Sequence, residues 1–280
     1  MNINNILNSG SKILRNNNID SHKLDSEILL SKVLKISREK LLINLDKSIS
    51  LSQKNDFNAL IKRRKNKEPL AYIFSKKEFW SKNYLVSYDT LIPRPETELL
   101  VEQIVRRFKR KNSYVLDIGT GTGCILLSIL SELKNSKGVG VDISTKAVKI
   151  AIKNSHIHRL NTRVKFLKKD FTDIHNVKFD LIVSNPPYIK RKDLKNLSDG
   201  IKKFEPKLAL DGGNDGLDVI KKVIYKSKNI LKLKGMLALE IGNGQIKKVS
   251  KILKNNNFRI NYLVKDYQQN VRCILSQYKD

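Results

Sequence analysis

Residues 117–124, Asp117-Ile118-Gly119-Thr120-Gly121-Thr122-Gly123-Cys124, follow the apolar run at 114–116 and open the apolar stretch 124–133. A strand that breaks into three alternating glycines and re-enters as a helix is a ligand-binding turn. Glycine lets the backbone bend sharply and lets a ligand approach without meeting a Cβ atom. The next strand candidate, 138–143, carries Asp142, 19 residues beyond Gly123. A carboxylate there can accept both hydroxyls of an adenosyl ribose and would repel a 2′-phosphate. Its competing role is to cap the helix from Thr145, which Ser144 could do equally well. A dinucleotide fingerprint asks for Gly or Ala at its sixth position, where Cys124 stands. S-adenosylmethionine (SAM) asks instead for room beside Gly119–Gly123, Thr120 and Thr122 included.

Outward from this turn, strand candidates (114–118, 138–143, 164–167, 180–184, 236–241) alternate with helical stretches (124–133, 145–156, 217–231, 245–255). That alternation predicts an α/β fold with a parallel sheet covered on both faces. The last two strand candidates, 260–264 and 271–276, are separated by a short loop and should pair antiparallel. Five parallel strands plus an antiparallel terminal pair describe the Rossmann-like sheet of class I SAM-dependent methyltransferases, not an all-parallel dehydrogenase sheet. Asp170 and Phe171 follow the third strand, where an acid could accept from an adenine amine and a ring could pack on the base, although Phe171 could equally be core. Residues 185–216 show little regular pattern.

The first 75 residues read as a helical bundle. Ile3, Ile6, Leu7, Ile13 and Leu14 recur at helical spacing, then Leu24, Ile28, Leu29, Val33 and Leu34. Asp20-Ser21 and Ser50 or Ser52 stand where caps belong. Residues 79–86, FWSKNYLV, predict a hairpin turning at Lys82-Asn83. The expected organisation is a helical substrate-docking domain over 1–75, a hairpin linker over 76–92 and a methyltransferase domain over 93–280.

The chemical end of the site is Ser184-Asn185-Pro186-Pro187-Tyr188, directly after the strand 180–183. The Asn185 side-chain oxygen and the Pro186 carbonyl can each take one N–H of an NH₂ group whose lone pair is delocalised. Holding both hydrogens aims that lone pair at a methyl donor. The prolines stiffen the turn, and Tyr188 offers a flat face to a planar amide or base. His156, His158 and His175 lie away from this point. A sulfonium leaving group needs no strong general base, because positioning can carry the rate.

The chain has 280 residues, 55 Lys+Arg against 27 Asp+Glu, a formal charge of +28, and 40% hydrophobic residues, enough for a core. The excess is spread evenly: residues 1–88 hold 17 basic and 8 acidic side chains, residues 89–280 hold 38 and 19. Lys, Asn and Ile fill 100 positions, the mark of drift toward AT-rich codons, with a selected polyanion surface as the competing reading. Either way weak, salt-sensitive RNA affinity is expected. The cluster Lys62–Lys67 reads as a solvated helix end. No apolar run spans a membrane, no apolar leader opens the chain, and Cys124 and Cys273 form neither a disulfide framework nor a zinc motif. A cytoplasmic protein is expected.

LIPRPETELLV (91–101), DIGTGTGCI (117–125), VSNPPYI (183–189) and FEPKLAL with DGGNDGL (204–217) together resemble the peptide chain release factor glutamine methyltransferases, the PrmC/HemK family. The resemblance covers nearly the whole chain. It implies methylation, with SAM, of the side-chain amide nitrogen of the glutamine in the Gly-Gly-Gln motif of bacterial class 1 release factors. It also implies that Gly119, Gly121, Gly123, Asp142 and Phe171 contact SAM, with Thr120, Thr122 and Asn185 expected in the same cofactor site, that Asn185–Tyr188 hold the substrate glutamine, and that the helical domain docks the release factor. A sister enzyme acting on a ribosomal-protein glutamine or a base amino group would share this chemistry. A non-catalytic binding module would not need the intact glycine turn and Asn185. One departure stands out: the family's Asp-x-x-Gly-x-x-Arg run reads Asp266-Tyr267-Gln268-Gln269-Asn270-Val271-Arg272 here, without its glycine.

Overall fold

The computed structural model describes residues 2–279. The chain divides into two compact units, one reaching to Phe74 and taking in Ser198–Phe204, the other made of Ser75–Leu197 and the chain from Glu205 on.

The first unit packs α1 (Ile3–Asn16), α2 (His22–Leu34), α3 (Arg38–Ile43), α4 (Leu51–Lys65) and α5 (Leu70–Ile73), with α9 (Asp199–Phe204) joining from later in the chain. Ile3, Ile6, Leu7, Leu14 and Leu29 are buried with Phe57 and Ile61 in one apolar cluster. Ser50 starts α4 with a reciprocal cap: its Oγ accepts from the Gln53 amide while Gln53 Oε1 accepts from the Ser50 amide. Ser21 makes no such bond. The basic cluster at the end of α4 is only partly solvated. Arg64 donates to the buried Asp25 carboxylate at 2.7 Å, and Arg63 pairs with Glu68.

The second unit opens with β1 (Lys76–Phe79) and β2 (Lys82–Leu85), paired antiparallel with Phe79 opposite Lys82. The turn is therefore Trp80-Ser81, not Lys82-Asn83. Both turn residues are left-handed, at φ +52° and +53°. Neither is a residue that favours this conformation, and tertiary bonds hold it. The Trp80 amide donates to Glu98 Oε1 at 2.8 Å and its indole Nε1 to Glu132 Oε1 at 3.0 Å.

Seven strands form the main sheet: β3 (Tyr114–Ile118), β4 (Lys137–Asp142), β5 (Val164–Lys168), β6 (Phe179–Ser184), β7 (Leu231–Glu240), β8 (Phe258–Lys265) and β9 (Val271–Tyr278). Their spatial order is β5-β4-β3-β6-β7-β9-β8, the first five parallel, with β9 antiparallel to both neighbours. Side chains alternate along the strands. Val115, Leu181, Val183, Ala238 and Leu275 pack on one face with α6 (Pro95–Phe108), α7 (Cys124–Glu132) and α8 (Thr145–Ile157). Leu116, Ile182, Leu237, Leu239 and Ile274 pack on the other with α10 (Asp218–Ile230) and α11 (Ile246–Asn255). Residues 185–216 are less irregular than expected, holding short helical turns at Arg191–Asn196 and Lys207–Ala209 besides α9.

The missing glycine leaves a mark. Gln269 sits at φ +65°, where a side chain is strained. The turn survives because Asp266 Oδ1 accepts from the amides of Gln268 and Asn270 while its Oδ2 takes the Arg272 guanidinium at 2.8 Å. Gln269→Gly is expected to stabilise the protein by about 0.5–1 kcal/mol, strain relief exceeding the added unfolded-state entropy. Denaturant titration checks this, and a loss of stability would contradict it.

Candidate active site

Parallel register brings the two motif turns together. Ile118 is paired with Val141 on one side and Ser184 on the other, so the turns leaving β3, β4 and β6 emerge side by side at the carboxyl ends of the strands. Ser184 Oγ donates to the Ile118 carbonyl at 2.8 Å and ties the Asn185 turn to the glycine loop.

The three glycines differ. A Cβ placed on Gly119 (φ +71°) or Gly121 (φ +55°) meets nothing within 4 Å, so the loop borders open space there. At Gly123 (φ +78°) it would lie 2.9 Å from the Phe166 ring and 3.2 Å from Ala151, so this glycine serves packing. The threonines turn inward. Thr120 donates to Asp117 Oδ2 at 2.7 Å, and Thr122 Oγ1 accepts from the Cys124 amide at 3.3 Å. Asp142 is fixed by two backbone amides, Gly121 to Oδ2 and Ser144 to Oδ1, both at 2.9 Å. Ser144, not Asp142, caps α8. Each Asp142 oxygen keeps a lone pair for a ribose hydroxyl.

Beneath the loop, Asp117 is fully buried, and among the described residues its Oδ1 has no hydrogen-bond partner. Burial, the dominant cause, pushes its pKa up to about 7, with the nearby Asp142 charge adding to the rise. A cationic ligand on the loop would favour its ionised form. Open backbone, an oriented acid and a buried carboxylate fit SAM, which is both an adenosyl ligand and a cation. Phe171 lies half-buried against the sheet core, and Asp170 is occupied as a cap, its Oδ1 accepting from the amide and hydroxyl of Thr172.

The Asn185 turn is held from several sides. Gly212 passes over it, and a Cβ there would meet the Pro187 carbonyl and Tyr188 Cα, each at 2.8 Å. The Gly212 amide donates to the Ile189 carbonyl at 2.8 Å, and Gln245 Nε2 donates to the Tyr188 carbonyl at 3.0 Å. Behind the turn runs a chain of polar side chains. Asn185 Nδ2 donates to Thr97 Oγ1 at 3.2 Å, and the Thr97 hydroxyl donates to Glu240 Oε2 at 2.6 Å. The Tyr188 hydroxyl donates to Glu240 Oε1 at 3.3 Å. With Nδ2 engaged, Asn185 Oδ1 is the end left to accept, and among the described residues no hydrogen bond ends on it. Glu240 is buried at the end of β7, and that burial raises its pKa to about 7 against the opposing pull of Thr97, Tyr188 and Arg272.

Sequence reasoning missed Thr97, Glu240 and Asn154. Asn154, fully buried on α8, donates from Nδ2 to the carbonyls of Thr122 (2.9 Å) and Leu85 (3.1 Å) and accepts from the Leu85 amide (2.8 Å). It links the glycine loop to the hairpin. A lone Asn on an amphipathic helix gave no signal of this. Asn154→Leu, similar in bulk, strands those groups and should cost on the order of 3 kcal/mol. Calorimetry showing an unchanged Tm would contradict that. The quoted motif segments also bind each other: Glu205, buried, takes Arg94 Nη2 at 2.6 Å and the Ile92 amide at 3.3 Å.

This fold, with its glycine loop, oriented acid and Asn-Pro-Pro-Tyr turn, defines a class I SAM-dependent methyltransferase. Residues 87–203 match the methyltransferase small domain family and residues 5–74 the PrmC N-terminal domain family. The chain is 41% identical over 280 residues to the release factor glutamine methyltransferase of Buchnera aphidicola subsp. Schizaphis graminum, covering 100% of both. It is 38% identical over 282 residues to that of Fusobacterium nucleatum, covering 97% of this chain and 78% of the relative. A bifunctional methyltransferase of Rickettsia typhi is 34% identical, and this chain spans 56% of its length. The chain belongs to the release factor glutamine methyltransferase family. In fold alone it is similar to a ribosomal protein L11 methylase from Lactobacillus delbrueckii subsp. bulgaricus (TM-score 0.52, 18% identity, 68% of this chain and 82% of that one).

Proposed function

We propose that this chain methylates the side-chain amide nitrogen of the glutamine in the Gly-Gly-Gln motif of class 1 peptide chain release factors. The observation that carries the reading is the turn after β6, where Asn185 is held by its nitrogen and so offers Oδ1 as an acceptor beside the Pro186 carbonyl. Two acceptors on adjacent residues match the two N–H groups of a carboxamide. Taking both fixes the rotation of the amide and favours the nitrogen geometry that frees its lone pair. Bound SAM supplies an electrophilic methyl group on a sulfonium. Gly119 and Gly121 would leave its approach open, Asp142 would hold the ribose, and Phe171 would lie by the base, while Gly123, Thr120 and Thr122 keep the loop in shape. Tyr188, with its hydroxyl on Glu240, and Pro187 would wall the substrate amide. As the carbon–sulfur bond breaks and the nitrogen takes the methyl, the nitrogen becomes cationic with two acidic hydrogens; one leaves to water and the other stays on the N-methyl amide.

The helical unit would grip the release factor, and the enzyme would work in the cytoplasm. No helix among the described residues is long and apolar enough to cross a membrane. The surplus charge would give only weak, salt-sensitive RNA affinity.

The test supplies labelled SAM with a release factor, with its Gln-to-Ala variant in the Gly-Gly-Gln loop, and with stripped ribosomes or nucleic acid. Label confined to the intact factor supports the reading. Label on ribosomal protein or nucleic acid alone overturns it in favour of a sister activity.

A further inference from the structure

We propose that Thr97 and Glu240 are positioning residues whose hydrogen-bond direction decides which end of the Asn185 amide faces the substrate. This rests on the reading of Asn185 as the substrate-amide acceptor.

The geometry leaves two self-consistent arrangements. With Glu240 ionised, its Oε2 can only accept, so the Thr97 hydroxyl must donate to it across 2.6 Å. Thr97 Oγ1 then accepts from Asn185, which obliges Nδ2 to point at Thr97 across 3.2 Å and Oδ1 to point the other way. With Glu240 protonated, the acid can donate to Thr97, and the Thr97 hydroxyl is released to donate to Asn185. The amide is then free to rotate by half a turn, presenting NH₂ where an acceptor is needed. A donor facing the N–H groups of a substrate amide repels them. A single buried proton thus inverts the polarity of the substrate-holding group.

The surroundings keep the switch near neutrality. Facing Glu240 are Thr97 and Glu96 from α6, Tyr188 from the turn after β6, and Cys273 and Arg272 from β9. Arg94 lies close enough to Tyr188 to bear on its hydroxyl. Arg272 favours the ionised carboxylate and Glu96 opposes it. Tyr188 and Cys273 have their own pKa values pushed up, chiefly by burial, and stay neutral there. Burial remains the largest influence on Glu240, lifting it to about 7. Turnover should therefore fall as pH drops through about 7, tenfold per unit for a single group, and level off above it.

Two measurements test this. The first follows the ¹⁵N-labelled side-chain amide of Asn185 by NMR between pH 5.5 and 8.5, assigned by its loss in Asn185→Asp. In the wild type its resonances should titrate with a midpoint near 7, and in Glu240→Gln they should not. The second takes pH profiles of kcat for methyl transfer to a release factor. Thr97→Ser, which keeps the hydroxyl, should retain the wild-type profile. Thr97→Val should lose ~10–100-fold in kcat above pH 7 with KM unchanged and no pH break, and Glu240→Gln should be flat with pH. An amide that does not titrate, or Thr97→Val at the wild-type rate with the same break, overturns the proposal. If the amide titrates but no label reaches the release factor, the substrate reading fails while the switch stands.

Discussion

Asn185→Ala should lower the turnover number at least ~10²-fold while leaving SAM affinity nearly unchanged. In the proposed mechanism the side chain supplies one of two acceptors that orient the reacting nitrogen, and loss of one such preorganised contact costs about 10²–10³ in rate. The backbone of the turn should persist in the variant, because Gly212, Gln245 and Ser184 hold it without the Asn185 side chain. The glycine loop proposed to bind SAM is built from β3 and β4 and is anchored on Asp142, not on Asn185. Rapid-quench measurement of methyl transfer beside calorimetric titration of SAM separates the two effects. A variant turning over at the wild-type rate would remove the amide-pinning mechanism.

Asp142→Ala should fail in the opposite way, in binding. On the proposed ribose role, losing even one charge-assisted bond to a ribose hydroxyl, worth about 1.5–3 kcal/mol, corresponds to roughly a 10–150-fold rise in Kd for SAM. The substitution also strands the Gly121 amide, which now donates to Oδ2 at 2.9 Å, so the loop loses an anchor as well as a ligand contact. Asp142→Asn, which keeps one acceptor, should fall between. Calorimetry giving the wild-type Kd for both variants would take the ribose role away from this residue.

Much of the fold was legible because its signals are local. Apolar alternation located the strands of the main sheet to within two residues at each end except the start of β7, which begins at Leu231, five residues before the expected 236, and glycine spacing located the loop after β3. What escaped depends on partners far apart in the chain. Thr97 and Glu240 are 143 positions apart, and each alone is unremarkable: a polar residue in a first helical turn, an acid at a strand end. Their relation exists only once β7 is laid beside β6 and α6 covers that face. The Trp80-Ser81 turn escaped for the reverse reason, since local preference argued for Lys82-Asn83 and contacts to Glu98 and Glu132 overrode it. Gln269 shows the same override where a glycine was expected: Asp266 enforces the turn shape that the residue itself resists. Gly123 was legible as a necessary glycine, but the need is a ring pressed against it, which spacing does not reveal.

The position of β9 between β7 and β8 bears on how the protein is made. During synthesis β8 leaves the ribosome before the strand that must separate it from β7 exists. Until that strand arrives, β7 offers a bare row of backbone donors and acceptors, the kind of edge that recruits other chains. The helical unit's first 74 residues carry no such debt to late-made strands. Prematurely ended chains cut within 266–270 should therefore clump rather than persist as half-active monomers, with the environment of Glu240 left unfinished for want of Arg272 and Cys273.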